Sequence, residues 1–506
     1  MLDICKQLFS CWEQNRVDYC HWKSNEHLQE GLNGDTDLDI FVSPSHEALA
    51  ESLLEQCEYI KCTTQKGSRY PNVCEWMGFD SETGRLVHVH LHYQIITGTK
   101  YCKEYVYPMD KVVIDTRIKD SETGVFVTDP HVEIILLYTR IALKAHKKRH
   151  IKVGKDSQRE IEYLKSLISN EQLKTVCCQI LPQEGESLYS LIKKDNLSAE
   201  EWYSVYRISL RWLKPYRTKS RLHVLFRHYY YLFRSIFIQK VNRKYGRYLI
   251  NQKTFPDRKV SICFLGQDGS GKSTVSIEIC KWLNWKIAAH RFYLGSGEHY
   301  NGPIKRLIHA LSRGYHKVQT GENKNNVREG KNAGLTVKKN KGLKGQLASS
   351  VSVLLGTRLR VSVAKRAYKQ VVRASRYSEK GAIAIFDRFP QIQFNGIYDG
   401  PKIKDAYLDN GINYSFVIRA AKKEEHYLQK AQQFQPSLII KLILPPEESI
   451  RRKPFEDIQQ VTKKAEITQK LVFEKAETHV VDATQDYSKE IVLIKRIIWQ
   501  HLLKNR

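Results

Sequence analysis

An α/β fold spread over more than one domain is what this sequence predicts, and three observations predict it. The chain has 506 residues, more than one hydrophobic core usually covers at roughly 100–200 residues per domain. Strand-like and helical apolar patterns alternate in its first quarter and again after residue 260, with a largely helical stretch between them. A short apolar run, Val260-Ser-Ile-Cys-Phe-Leu265, leads straight into Gly266-Gln-Asp-Gly-Ser-Gly-Lys-Ser-Thr274, the strand, glycine loop and helix start of a buried parallel sheet. The expected architecture is an α/β domain over 1–127, a helical, basic connector over 128–255, and a three-layer α/β/α domain with a parallel sheet over 256–506.

Composition bounds the rest. Hydrophobic residues make up 42% and charged residues 27%, a globular balance rather than a disordered or membrane-embedded one. No apolar run approaches the ~20 residues that span a bilayer, and Met1 to Glu13 lacks the pattern of a secretory signal, so a cytoplasmic location is expected. Eleven cysteines without a Cys-x-x-Cys spacing read as reduced, mostly buried thiols. The formal charge of +28 is uneven: residues 301–380 hold 19 Lys or Arg against Glu322, Glu329 and Glu379. Such a field attracts polyanions, so nucleotides, nucleic acid and an anionic membrane surface are all candidate partners, and a solvated insertion without a partner is the plain alternative.

In the first domain, Leu38-Asp-Ile-Phe-Val42 and Leu86-Val-His-Val-His-Leu-His92 read as strands. Asp37 and Asp39 are two apart on the first, so both carboxylates face one side and could hold Mg²⁺ against a nucleoside triphosphate. His88, His90 and His92 share one face of the second, where they are poor ligands for a hard ion but could bind a softer metal. Tyr19-Cys-His-Trp-Lys-Ser-Asn25 followed by Gly34-Asp-Thr-Asp-Leu-Asp39 resembles the nucleotidyltransferase superfamily over roughly residues 1–127. That superfamily implies a third carboxylate on the neighbouring strand, where this chain has histidines. Active nucleotidyl transfer, a degenerate binding domain and a histidine metal site stay open.

In the connector, Leu222, Leu225, Phe226, Tyr229, Leu232, Phe233, Ile236 and Phe237 form one helical stripe, and residues 221–250 contain seven Lys or Arg and no acid. This fits a helix lying on an anionic membrane with its aromatic face inserted, or one docked on the neighbouring domain. The Lys-, Asn- and Gly-rich stretch at about 316–346 cannot bury enough apolar area to offset ordering and is expected to be mobile.

The glycine loop is the G-x-x-x-x-G-K-[ST] pattern, whose backbone N–H groups turn inward on phosphate oxygens at a helix N-terminus. Gly266, Gly269, Ser270, Gly271 and Thr274 would then cradle the phosphates of ATP, Lys272 would reach the β- and γ-phosphates, and Ser273 would ligate Mg²⁺. A second apolar strand, Ala382 to Phe386, delivers Asp387-Arg388-Phe389-Pro390. A third, Leu438 to Leu444, runs into Pro445-Pro446-Glu447-Glu448 and Arg451-Arg452-Lys453; last comes His479-Val-Val-Asp-Ala-Thr484.

With those residues in order, segment 256–506 resembles thymidylate kinase. The resemblance implies that Asp268 orients the acceptor, Asp387 assists the Mg²⁺ site, Arg388 grips the acceptor phosphate, Arg451 or Arg452 approaches the transferring phosphoryl group, and Asp482-Ala483-Thr484 lies beside the ATP base. Where the family carries Arg-Glu-Pro-Gly-Gly, this chain has Arg291-Phe-Tyr-Leu-Gly-Ser-Gly297. Gln391 to Pro401 is similar to divergent thymidylate-kinase-like proteins of bacterial surface-polysaccharide gene sets, which implies a nucleotide-like or sugar-linked acceptor. The leading expectation is thus an ATP-dependent kinase. The alternatives are a nucleotidyltransferase with a regulatory glycine-loop domain, and a non-catalytic nucleotide-binding assembly protein at a membrane surface.

Overall fold

The computed structural model describes residues 1–64, 69–145, 151–245, 249–294, 343–454 and 458–505. They form two compact units, Met1–Pro256 and Asp257–Arg506, and the α/β multidomain class expected from the sequence is the class observed.

The first unit is built on a seven-stranded mixed sheet of β1 (Tyr19–His21), β2 (Asp37–Val42), β3 (Ile60–Cys62), β4 (Val73–Phe79), β5 (Leu86–His92), β8 (Ile118–Lys119) and β9 (Phe126–Val127). The short pair β6 (Ile96–Thr97) and β7 (Tyr105–Val106) stands apart. The order is β3-β4-β5-β2-β1-β9-β8. β2 lies parallel to β5 with Asp37 opposite His88 and Asp39 opposite His90, and β4 lies antiparallel to β5 with Glu75 opposite His90. One face packs on the Asp3–Gln14 helix through Leu8, Trp12, Tyr19, Leu38, Val87 and Val89.

The helices begin where the sequence turns helical. Pro130 sets the first turn of Pro130–Lys144 and the Asp129 carboxylate accepts from the His131 N–H, satisfying a helix-end donor. Val132, Leu136 and Leu143 of this helix pack with Cys20, Trp22 and Phe41 of the sheet. Its other apolar residues meet Ile161, Leu173, Leu188, Trp202 and Val205 of the four helices that follow. The helical segment and the N-terminal sheet therefore share one core. On the Arg221–Tyr245 helix, Val224, His228, Ile238 and Val241 are buried, whereas Leu222 (80% exposed), Phe226 (75%) and Phe233 (66%) face solvent. The aromatic stripe is the uncovered face of this helix.

The second unit holds a parallel sheet of β10 (Ser261–Leu265), β11 (Ala289–Phe292), β12 (Ile383–Phe386), β13 (Leu438–Ile443) and β14 (Glu477–Asp482), in the order β11-β12-β10-β13-β14. β12 is buried along its whole length, as expected for a strand covered on both faces, and along edge strand β14 exposed residues alternate with half-buried ones and the buried Val481. Of the stretch expected to be mobile, residues up to 342 lie outside those described. From Leu343 the chain is a helix to Ser378, and this corrects the expectation for the end of the basic segment. Val353, Ala364, Ala367, Val371 and Ala374 supply enough small apolar surface to bury one side of that helix, while its many cations stay on the other. No helix among the described residues is long and apolar enough to cross a membrane.

Candidate functional site

Parallel pairing gathers the chemistry of the second unit at one edge. With Cys263 opposite Phe386 and Leu265 opposite Lys441, the C-terminal ends of β10, β12 and β13 finish side by side. From β10 the chain runs on to β11 at one end of the sheet and from its neighbour β13 to β14 at the other, and such a reversal is where α/β folds open a crevice for a ligand.

The glycine loop closes this edge. Gly269 and Gly271 have φ of 88° and 86°, in the left-handed region that side-chain-bearing residues avoid. At Gly266 a Cβ would meet the Ser270 hydroxyl and come within 2.6 Å of Leu442 O, so only glycine lets the loop fold back on the sheet. Gly271 then caps the Lys272–Leu283 helix, aiming its free N–H groups at the crevice. Lys272 Nζ donates to Gln267 O at 2.7 Å. Burial, with Arg388 and Lys453 acting in the same sense and Asp268 and Asp387 opposing, pulls its ammonium down to about 8. Ser270 is buried with its hydroxyl unpartnered among the described residues; Ser273 and Thr274 are exposed at the helix start.

A cavity of ≈ 350 Å³ opens against the loop, with Gly266, Asp268, Lys272, Asp387 and Arg388 in its wall. Four charged residues expected to act together, Asp268, Lys272, Asp387 and Arg388, thus meet here from two separate strand ends. Asp387 is 2% exposed, one carboxylate oxygen has no hydrogen-bond partner among the described residues, and burial raises its carboxyl above the usual range despite Arg388 and Arg291. Arg388 Nε stands 3.8 Å from Asp399 Oδ2, an ion pair too long for a hydrogen bond, and its guanidinium lies 5.9 Å from the Tyr293 ring centre.

The other expected residues are dispersed. Arg451 is 78% exposed and bonded to Glu448 at 2.5 Å, outside the cavity wall. Arg452 bridges instead, donating to Gly269 O at 3.5 Å and Ala483 O at 3.0 Å, and so ties the loop to the segment after β14. The Asp482 carboxylate closes its own turn, accepting from the Thr484 N–H and hydroxyl at 2.8 and 2.7 Å. Tyr398, Asp399, Lys402, Lys463 and Lys464 also line the cavity and were not singled out from the sequence. Lys464 forms an ion pair with Asp268. Burial alone would raise the Asp268 carboxyl, and the hydrogen bond and charge of Lys464 reverse the shift to a lowering.

Asp37 and Asp39 belong to the first unit and face histidines. His88 Nδ1 donates to Asp37 at 2.8 Å; Asp39 takes Lys23 Nζ at 2.8 Å and His90 and His92 at 3.3 Å each. Burial would raise Asp39, and Lys23 with the two histidines holds it well below its ordinary value. Burial also drives His88 to about 3 and His92 to about 4, so both rings are neutral.

No protein-family model matches the chain. The uncharacterized ATP-binding protein YghR of Escherichia coli (strain K12) is 24% identical over 233 residues, 45% of this chain and 82% of that protein. The uncharacterized ATP-binding protein YghS of the same strain is 26% identical over 222 residues, 44% of this chain and 84% of that protein. Among solved structures, deoxyadenosine kinase from M. mycoides with bound dCTP aligns over 47% of this chain and 98% of its own at 16% identity, with a TM-score of 0.26. The same enzyme with bound dATP aligns equally at 18% identity. At that TM-score the likeness carries no weight beside the strand order itself.

Removing the Lys464 charge should let burial dominate at Asp268. Carboxyl-carbon NMR titration of Lys464→Met is expected to show the Asp268 pKa moving up past its ordinary value; an unmoved titration would show that Lys464 does not hold that carboxylate.

Proposed function

We propose that this chain is an ATP-dependent phosphotransferase that moves the γ-phosphate of Mg-ATP to a nucleotide-like or sugar-linked acceptor, with the chemistry in residues 257–506. The observation that carries this reading is the convergence of Lys272, Asp268, Asp387 and Arg388 on one cavity at the C-terminal edge of a parallel sheet. YghR and YghS, both described as ATP-binding, support the nucleotide half of it. A cytoplasmic setting, where ATP is at hand, belongs to the same reading.

The residues fit the groups they would hold. Gly266, Gly269, Ser270, Gly271 and Thr274 offer a backbone cradle for phosphates. The unpartnered, buried oxygen of Asp387 and the exposed hydroxyl of Ser273 suit a hard divalent cation. Mg-ATP, when bound, supplies the phosphoryl group and part of the charge neutralisation. Lys272 exchanges its bond to Gln267 O for phosphate oxygens and neutralises charge that spreads over the transferring group. Arg388, held only loosely by Asp399, is free to present its fork to an acceptor phosphate. Asp268, kept ionised by Lys464, orients the acceptor. Arg452 fastens the loop to Asp482, Ala483 and Thr484, beside which the base would lie, and Arg451 could reach the phosphates only by leaving Glu448.

The exposed aromatic face of Arg221–Tyr245 favours a second element of the proposal, peripheral contact with an anionic membrane. Cosedimentation should show salt-sensitive adhesion to phosphatidylserine vesicles, lost when Phe226, Phe233 and Phe237 are changed to Ser. Equal partitioning to neutral vesicles, or none to either, would remove this element.

Phosphate binding should return Lys272 from about 8 toward its ordinary value. The ligand-bound form then holds more protons than the free form above pH 8, so ATP affinity falls as pH rises through that point. Calorimetry in two buffers of different ionisation enthalpy should detect proton uptake at about pH 8.5 and little from this group at pH 6.5. Lys272→Ala should abolish the uptake and lower the transfer rate on the order of a thousandfold, as for other cationic clamps on phosphoryl groups. Unaltered transfer in that variant would put the reaction elsewhere.

A further inference from the structure

The first unit carries a second constellation that the phosphotransfer reading does not use. Strand register sets Cys62 opposite Glu75, Glu75 opposite His90 and His90 opposite Asp39, a single row across β3, β4, β5 and β2. His88 and Asp37 follow two residues on, on the same face. In such a row neighbouring side chains start about 5 Å apart.

The hydrogen bonds here stop short. His88 has a fully buried side chain; its Nδ1–H is spent on Asp37, which leaves Nε2 as the bare lone pair, buried and, like His90 Nε2 and Glu75 Oε2, without a partner among the described residues. His90 repeats the pattern, with Nδ1 toward Asp39 and an unpartnered Nε2 3.6 Å from Glu75 Oε1. Glu75 divides its oxygens: Oε1 meets Lys253 Nζ at 3.2 Å, and Oε2 is buried without a partner. Ligand atoms of Cys62, Glu75 and His88 all lie within 4.8 Å of one another. A tetrahedral zinc site holds such atoms ~3.3–3.8 Å apart, so small side-chain movements suffice. Orphaned buried acceptors cost free energy, and a carboxylate and an imidazole that gather beside a thiol call for a cation rather than for water alone.

We propose that Cys62 Sγ, Glu75 Oε2 and His88 Nε2 bind a borderline-soft divalent ion of the zinc class, with His90 Nε2 beside the fourth position. Asp37 and Asp39 are then not ligands. Each accepts the other ring N–H of a histidine, fixing its tautomer and ring orientation in the way carboxylates commonly support metal-bound imidazoles. Charge agrees with a divalent ion. Asp37, Asp39, Glu75 and a Cys62 thiolate stand against Lys23 and Lys253, leaving two negative charges for the metal. Binding releases the Cys62 thiol proton to solvent and breaks no other bond. The donor set selects against Mg²⁺, which takes oxygen ligands.

Cobalt(II) reports the ligands directly. Full-length protein stripped with chelator and dialysed should bind one equivalent of Co²⁺. Visible bands of four-coordinate intensity and a near-ultraviolet sulfur-to-cobalt charge-transfer band should appear, both removed by Zn²⁺. Cys62→Ser should lose the charge-transfer band, and His88→Gln should weaken binding at least tenfold with circular dichroism unchanged. Asp37→Asn should keep the band and lose about 10–100-fold in affinity, the usual cost of removing a supporting carboxylate. The absence of a sulfur band in the unmodified protein overturns the proposal whatever the variants do. So does a spectrum that Cys62→Ser leaves intact, or binding of Mg²⁺ or Mn²⁺ that excludes Co²⁺.

Discussion

The second unit depends on the parallel pairing of β10 with β12 on one side and β13 on the other. Parallel strands must all end at the same edge, and their crossovers must run back over the faces, so loops that are remote in sequence meet there. Pairing of Cys263 with Phe386 sets Asp387 and Arg388 beside the glycine loop, although more than a hundred residues separate them. The cost of this arrangement is a crowded edge. Gly266 must lack a Cβ, and Asp387 must be buried with an oxygen unsatisfied. Such a buried carboxylate costs free energy in the absence of a counter-charge, which is the property expected of a group kept for a cation.

Cations dominate the cavity, and their arrangement separates two tasks. Lys272 stands at the helix N-terminus, where phosphate charge would accumulate; Lys463 and Lys464 come from the helix Ile458–Lys470. Lys464 holds Asp268, and Asp399 faces both Arg388 and Lys402. Arg388, Lys402 and Lys464 are thus paired through single carboxylates, which offsets part of the positive charge that gathers at the cavity. A polyanion could take over these pairings at modest cost, because exposed and half-exposed ion pairs are weak.

How much was legible follows from what each residue depends on. The loop Gly266–Thr274 and the pair Asp387-Arg388 could be read because each is a local sequence at the end of an apolar strand, and the sheet type was implied by the same strands. Tyr398, Asp399 and Lys464 could not, since they reach the cavity through the packing of segments that carry no periodic signal pointing inward. Gln391 to Pro401 had stood out as unusual, and Tyr398 and Asp399 lie within it; that was the one available hint. In the first unit the histidine row of β5 was visible as an alternation of period two. Cys62 and Glu75 were invisible partners, because the register of β3 and β4 is set by tertiary pairing. The Arg221–Tyr245 stripe shows another limit: periodicity marks a common face but not what covers it, and here the packed face is the one bearing Val224, His228, Ile238 and Val241.

The sequence raises two nucleotide chemistries for this chain, transfer of the terminal phosphate in the second unit and transfer of a nucleotidyl group in the first. In the first, the Asp37 and Asp39 carboxylates are engaged by histidines and Lys23, whereas in the second Asp387 has an unpartnered oxygen and Arg388 only a distant partner. The most direct measurement is incubation of the purified chain with ATP labelled at the γ-phosphate and, in parallel, at the α-phosphate, against a panel of nucleotides and sugars. The account predicts that an acceptor takes the γ label and none takes the α label. Transfer of the α label would contradict it and move the reaction to Asp37 and Asp39.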